Sequence, residues 1–183
     1  MDVLDAILDR TTTHKYAPEP IDEAIIDDAL RAAHQAPCHK VTWPWRFTRV
    51  GPEARARIAD IGLAIKREGK TLTAEQVGAI RGKLLNPAVL VVVSQVRCDD
   101  AFRAREDYAA VACAIQNFQL VVTARGLGAK WSTGGVTRHP DTYATLGIDP
   151  EAEEIVAFLW AGVPAQDCDV KRPSLDSVVR TVP

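Results

Sequence analysis

The feature that most constrains the fold is the stretch from Phe102 to Arg125, the longest uninterrupted segment of the chain, which contains neither glycine nor proline. Tyr108, Val111, Ala112, Ile115, Phe118, Gln119 and Val122 recur along it at spacings of three and four. That is the period of an α-helix with one buried side. At ~1.5 Å per residue such a helix crosses a whole small domain, so the remaining elements must be arranged around it. Gly126 follows Arg125 as a helix terminator does. Just upstream, Ala88-Val89-Leu90-Val91-Val92-Val93 is apolar without alternation, which fits a strand covered on both faces. A long helix beside a strand of that kind predicts a sheet sandwiched between helices.

The rest of the chain supplies the other layers. Val3, Leu4, Ile7 and Leu8 predict a short helix over Met1 to Asp9. A polar hinge, Arg10 to Tyr16, leads to Pro18 and Pro20, which hold the backbone extended. Asp22 is placed to cap a second helix whose buried side is Ile25, Ile26, Ala29, Leu30 and Ala33, ended by Pro37. Trp45 and Phe47 share one face of a strand that Gly51-Pro52 terminates, and Pro52 opens a helix carrying Ile58, Ile61 and Leu63. Thr73 and Gln76 form a capping-box pattern ahead of Val77, Ile80 and Leu84. Lys130 to Thr133 and Ile155 to Trp160 read as strands, with a short helix opened by Pro140 between them. Helices and strands are interspersed, so the expected class is α+β, a three-layer arrangement. With 183 residues and ~150 per domain, one domain over 1–183 is expected, with 163–183 as a C-terminal tail.

Composition removes several functions. Twenty-two Lys+Arg against 24 Asp+Glu leave a net charge of −2, without the basic excess of a nucleic-acid binder. At 47% hydrophobic and 25% charged residues the chain is neither disordered nor a coiled coil. No apolar run approaches the ~20 residues that span a bilayer, and Asp2, Asp5 and Asp9 replace the basic start of a signal peptide. Cys38, Cys98, Cys113 and Cys168 lie far apart and form no CxxC pair. A cytoplasmic protein with no membrane and no nucleic-acid partner is expected. His14, His34, His39 and His139 lack metal-ligand spacing, and neither a phosphate-binding Walker loop nor a GxSxG elbow occurs.

Four segments have chemistry to offer. Arg10-Thr11-Thr12-Thr13-His14-Lys15 is either a solvated hinge or a phosphate cradle, since guanidinium and hydroxyl donors suit a phosphate. Ala36 to Trp45 sets Trp43 and Trp45 around Pro44, as core packing or as an aromatic wall. Gly126-Leu127-Gly128 tempts a dinucleotide reading, but it follows a helix and precedes a strand, the reverse of that fingerprint. Its glycines would let backbone N–H groups approach a ligand, with Ser132 and Thr133 adding hydroxyls. Lys171-Arg172 in the tail is a solvated pair or a second phosphate clamp.

In this order, the four segments resemble the nitroreductase family of flavin enzymes. The family shows a short helix ending in an Arg-Arg-Ser-like triplet, then a basic residue and an aromatic; here stand Arg10-Thr11-Thr12 and Lys15-Tyr16. It next shows Ala-Ala-x-x-Ala-Pro and Pro-Trp-x-Phe, matched by Ala32 to Pro37 and Pro44 to Phe47. Gly126-Leu127-Gly128 with Trp131-Ser132-Thr133, then Gly162-Val163-Pro164 and Arg172-Pro173, complete the pattern. The short chain and the Ala-Pro-x-His-Lys version of the second motif are most similar to the small YdjA-type members.

The resemblance implies a mostly antiparallel central sheet flanked by helices and an intertwined homodimer with FMN at the subunit interface. It implies that Arg10 and Thr12 hold the phosphate, with Thr11 between them also a cofactor-binding residue. Gln35 and His39 would lie along the flavin, in part from the partner subunit. Trp131, Ser132 and Thr133 would line the ring system, and Lys171 or Arg172 would add a phosphate contact. Activity would be a ping-pong transfer of hydride from NADH or NADPH through flavin N5 to a nitroaromatic, quinone or similar small-molecule acceptor. No side-chain acid or nucleophile is then required, and Lys40 and Lys130 are candidates for tuning the flavin. The chain departs from the family at Thr11, usually Arg, at Val41, often Asn, and at Trp43. These departures leave a flavin-binding or sequestering protein with little turnover as the alternative. Flavin-dependent dehalogenases and flavin-fragmenting enzymes share the fold, but nothing in the sequence marks them. A non-flavin interaction domain is the third reading.

Overall fold

The structure is a computed structural model and describes residues 1–182. Its elements are α1 (Val3–Asp9), α2 (Glu23–His34), β1 (Trp45–Arg49), α3 (Pro52–Arg67), α4 (Ala74–Leu85), β2 (Val89–Val96), α5 (Ala101–Ala124), β3 (Gly128–Ser132), α6 (Gly135–Arg138), α7 (Pro140–Leu146) and β4 (Glu153–Gly162). Four strands form one antiparallel sheet in the order β1-β2-β4-β3. The chain is α+β, with helices on both faces of the sheet.

Strand alternation divides the core. Val91 and Val93 of β2, Ala157, Leu159 and Ala161 of β4, and Ala129 of β3 face α2 and α5. Leu90, Val92, Phe158 and Trp160 face the other layer with Ile58 of α3 and Tyr143 of α7. Both faces of β2 are fully covered, which is why its sequence shows no alternation. Against the first face α5 buries Val111, Ile115, Phe118 and Val122 at 0% exposure. Each such side chain contributes roughly 1.5–3 kcal/mol when fully buried. A bulge between Val93 and Ser94 lets Ile155 join the second face.

The end groups at Asp22, Thr73 and Gly126 are those the sequence predicts. Asp22 Oδ1 accepts from Ala24 N–H at 2.9 Å, and Thr73 and Gln76 close their capping box. Asp100 caps α5, and Gly126 turns the chain out of it at φ +76°. The strand at Lys130 to Thr133 begins two residues earlier, at Gly128, and α6 is a turn of helix that no periodicity announces.

The polar hinge is not loose. Thr12 bridges Ala129, and Thr13 N–H donates to Ala129 C=O at 3.0 Å. Farther on, Ala17 N–H donates to Val163 C=O and Ala165 N–H to Lys15 C=O, both at 3.0 Å. Residues 10–17 thus run beside the β3 edge and the end of β4. Gly128 makes this possible. A Cβ there would overlap Thr13 Oγ1 and lie 2.8 Å from Thr13 Cβ. The sequence reading gave that missing Cβ to a ligand; in the fold it admits Thr13.

Candidate functional site

A cleft of about 580 Å³ opens where the hinge, α5 and β3 meet. Arg10 and Thr12 line it from the hinge, Ile7 and Leu8 from α1, Gln116 and Gln119 from α5, and Trp131 from β3. Arg172 of the tail closes it, with Nη2 reaching Arg10 C=O at 3.5 Å. Four residues singled out from sequence, Arg10, Thr12, Trp131 and Arg172, therefore come together, although 162 positions separate the two arginines.

The cleft has a cationic end and an apolar wall. Neither arginine has a carboxylate partner among the described residues. Gln119 also lines the cleft, although the residue as a whole is only 4% exposed. Its amide, both a donor and an acceptor, is one of the polar groups lining the cleft. Sequence reasoning placed Gln119 in the apolar stripe of α5 and did not use it. A glutamine in such a stripe was the available signal.

The other expected residues lie elsewhere. Thr11 is half-buried beside the cleft without lining it. Ser132 points across the sheet, accepting from Trp160 Nε1–H at 2.7 Å. Thr133 lines a second cavity of about 420 Å³ with Tyr108, Gly134 and Arg138. Gln35 is the exposed C-cap of α2. His39 is exposed, with Nε2 3.8 Å from Glu106 Oε2. Neither lines the cleft of its own chain. Tyr108 and Arg138 were not singled out as site residues. Tyr108 had been assigned to the buried stripe, but it is 48% exposed.

Between Gln35 and Trp45 the backbone is unusual. Lys40, Val41 and Trp43 have φ of +54°, +55° and +45°. Non-glycine residues pay a steric penalty there, and clusters of such residues mark functional segments. Side chains hold the loop in place. Trp43 N–H donates to Cys38 Sγ at 3.2 Å, and Thr42 Oγ1 donates to the buried Asp107 Oδ1 at 2.6 Å. Trp43 packs edge-on against Trp45 at 5.9 Å and tilted against His34 at 5.7 Å, and Trp45 Nε1–H donates to His34 Nδ1. Trp45 is core, and Trp43 remains 45% exposed.

The two lysines considered for flavin tuning separate. Lys130 pairs with Trp160 and so faces the layer opposite Trp131. Burial, with Lys83 nearby, lowers its ammonium pKa. Tyr16 is buried with its hydroxyl toward Trp160 C=O, and burial raises its pKa.

Known proteins share the fold and much of the sequence. The Nitroreductase family model matches residues 7–163. The Bacillus subtilis (strain 168) protein named "Putative NAD(P)H nitroreductase YfhC" is 33% identical over 172 residues, covering 92% of this chain and 87% of that one. "Putative NAD(P)H nitroreductase YdjA" of Escherichia coli (strain K12) is 27% identical, covering 90% and 89%. The 5,6-dimethylbenzimidazole synthase of Rhodospirillum rubrum is 30% identical, covering 91% and 84%. Among solved structures, a nitroreductase-like family protein from Bacillus cereus superposes with a TM-score of 0.83 at 24% identity, covering 100% of this chain and 96% of that one. A "putative nitroreductase" from Desulfovibrio desulfuricans, solved in complex with FMN, gives 0.77 at 24% identity, covering 100% and 98%.

Proposed function

Because the chain belongs to the nitroreductase family, we propose that it binds FMN and acts as an NAD(P)H-dependent oxidoreductase on a nitroaromatic, quinone or similar small-molecule acceptor. The observation that carries this reading is the cleft that brings Arg10, Thr12 and Arg172 together with Gln119 and Trp131.

The residues fit the group. Two guanidiniums without carboxylate partners and a hydroxyl match a phosphate dianion, and charge-assisted bonds of this kind are the strong ones. Thr12 is held by the backbone pairing of the hinge to Ala129, so the donors are oriented before a ligand arrives. Trp131 with Ile7 and Leu8 gives the apolar surface that a flavin ring system needs, and Gln119 can serve a ring or ribityl polar atom. Thr11 and Ser132 act through the backbone in this reading, with Thr133 beyond them. Gln35 and His39, exposed on their own subunit, reach the flavin of the partner. Lys40 is the remaining candidate for tuning, since Lys130 faces away. When bound, FMN supplies a two-electron carrier that takes hydride from the reduced nicotinamide and delivers it to the acceptor. The protein contributes binding, orientation and electrostatics; the described residues lining the cleft include no carboxylate, histidine or cysteine.

A homodimer belongs to the same proposal. α1 buries only Ala6, while Val3, Leu4, Ile7 and Leu8 are 44–74% exposed. In the tail, Leu175, Val178, Val179 and Val182 are exposed as well. Apolar surface of this kind marks an interface, and a second copy covering α1 would close the cleft beside it.

Arg10→Ala tests the phosphate assignment. Loss of a charged hydrogen bond costs ~1.5–3 kcal/mol, or about ten- to a hundredfold in affinity. Flavin-fluorescence titration should show that weakening, with sedimentation showing the dimer intact. Unchanged FMN affinity would withdraw the assignment.

A further inference from the structure

The second cavity holds a cation that the FMN reading does not use. Arg138, exposed at the end of α6, lines it and makes no hydrogen bond or ion pair among the described residues. The other polar groups around it are engaged. Gln95 Nε2 donates to Ala104 C=O at 2.9 Å. The Thr137 hydroxyl donates to Gly134 C=O at 2.9 Å. Glu154, the one carboxylate lining the cavity, sits 3.6 Å from Arg97 Nη1. What remains is a guanidinium, the half-exposed ring of Tyr108 and the hydroxyl of Thr133. At about 420 Å³ the space accepts a substituted benzene.

We infer that this cavity is an acceptor subsite selecting planar aromatic acceptors that carry a carboxylate, with Arg138 holding the anion and Tyr108 stacking on the ring. A guanidinium binds a carboxylate through two parallel hydrogen bonds, a geometry that a nitro or carbonyl group satisfies less strongly. Offset or edge contacts with the Tyr108 ring add to it. Thr133 lies two positions beyond Trp131, just past the end of β3, so the two cavities open near the same strand end, although they share no lining residue. The inference rests on the flavin reading, since the bound aromatic is an acceptor only if the flavin stands nearby.

The test compares 4-nitrobenzoate with its neutral analogue 4-nitrobenzamide on FMN-loaded protein. The wild type should favour the anion in kcat/KM. Arg138→Gln should cut the ratio of the two kcat/KM values about tenfold, mostly through KM, and Arg138→Lys should restore part of it. Calorimetric titration with benzoate, which is not reduced, gives a readout independent of turnover: binding in the wild type that is lost in Arg138→Gln supports the subsite. Benzoate binding without nucleotide-driven turnover of either acceptor would overturn the reductase reading and leave the subsite standing. Equal selectivity in wild type and Arg138→Gln, or benzoate binding indifferent to Arg138, would overturn the inference.

Discussion

At the scale of single residues, the contact between Gly128 and Thr13 ties the cationic hinge to the sheet. Adding one methyl there meets Thr13 side-chain and not solvent, and overpacking of this kind costs ~1–3 kcal/mol. Gly128→Ala is therefore expected to lower Tm, while Gly51→Ala, with open space around its Cβ position, should not lower it comparably; thermal denaturation of both checks this. Lys130 gives the opposite sign. Its pKa is lowered by burial and by Lys83, so at neutral pH the folded state carries a partly desolvated charge. As pH rises through the lowered value, the folded state sheds the proton before the unfolded one and the penalty fades. Lys130→Met should raise Tm by about 1–2 °C at neutral pH, with the gain shrinking in alkali. A constant gain across pH would show that charge burial is not its origin. Arg10 and Thr12 were legible in the sequence because donors clustered after a helix are a local pattern. Gln119 was not, because its place in the cleft depends on elements distant in sequence.

At the scale of elements, most helices and strands were written in periodicity and caps, and they formed where Asp22, Thr73 and Pro52 marked them. The loop from Cys38 to Trp43 is different. Nothing in His-Lys-Val-Thr-Trp signals left-handed backbone, because glycine and asparagine, its usual bearers, are absent there. The conformation is held from outside by Asp107 on Thr42 and within the loop by Cys38 on Trp43. At φ +55° the β-branched Val41 carries the clearest strain, of order 1–3 kcal/mol, while a glycine loses only ~0.5–1 kcal/mol to entropy. Val41→Gly should thus raise Tm; a lower Tm would show that the loop is not strained at this position. α6 escapes sequence patterns for a related reason, since this single turn begins at Gly135 and is closed by the Thr137 hydroxyl on Gly134.

At the scale of the whole molecule, the three-layer arrangement followed from one long amphipathic helix and one strand without alternation. The cleft did not follow from either, because it unites α1, α5, β3 and a tail arginine that no local pattern joins. Resemblance to a family supplied that connection for Arg10, Thr12, Trp131 and Arg172, and left Tyr108 and Arg138 unnoticed. If the exposed apolar side of α1 is covered by a second copy next to the cleft, cofactor binding and association are linked. Sedimentation equilibrium should show tighter dimers with FMN than without; identical association constants would place the cofactor away from the interface. The central claim is tested most directly by the visible absorption spectrum of the purified protein, recorded before and after adding NADH or NADPH and again after adding a nitroaromatic or quinone. The account predicts flavin bands that bleach with the nucleotide and return with the acceptor. Bands that never bleach would contradict it, as would bands that fail to return or protein that takes up no FMN when it is supplied.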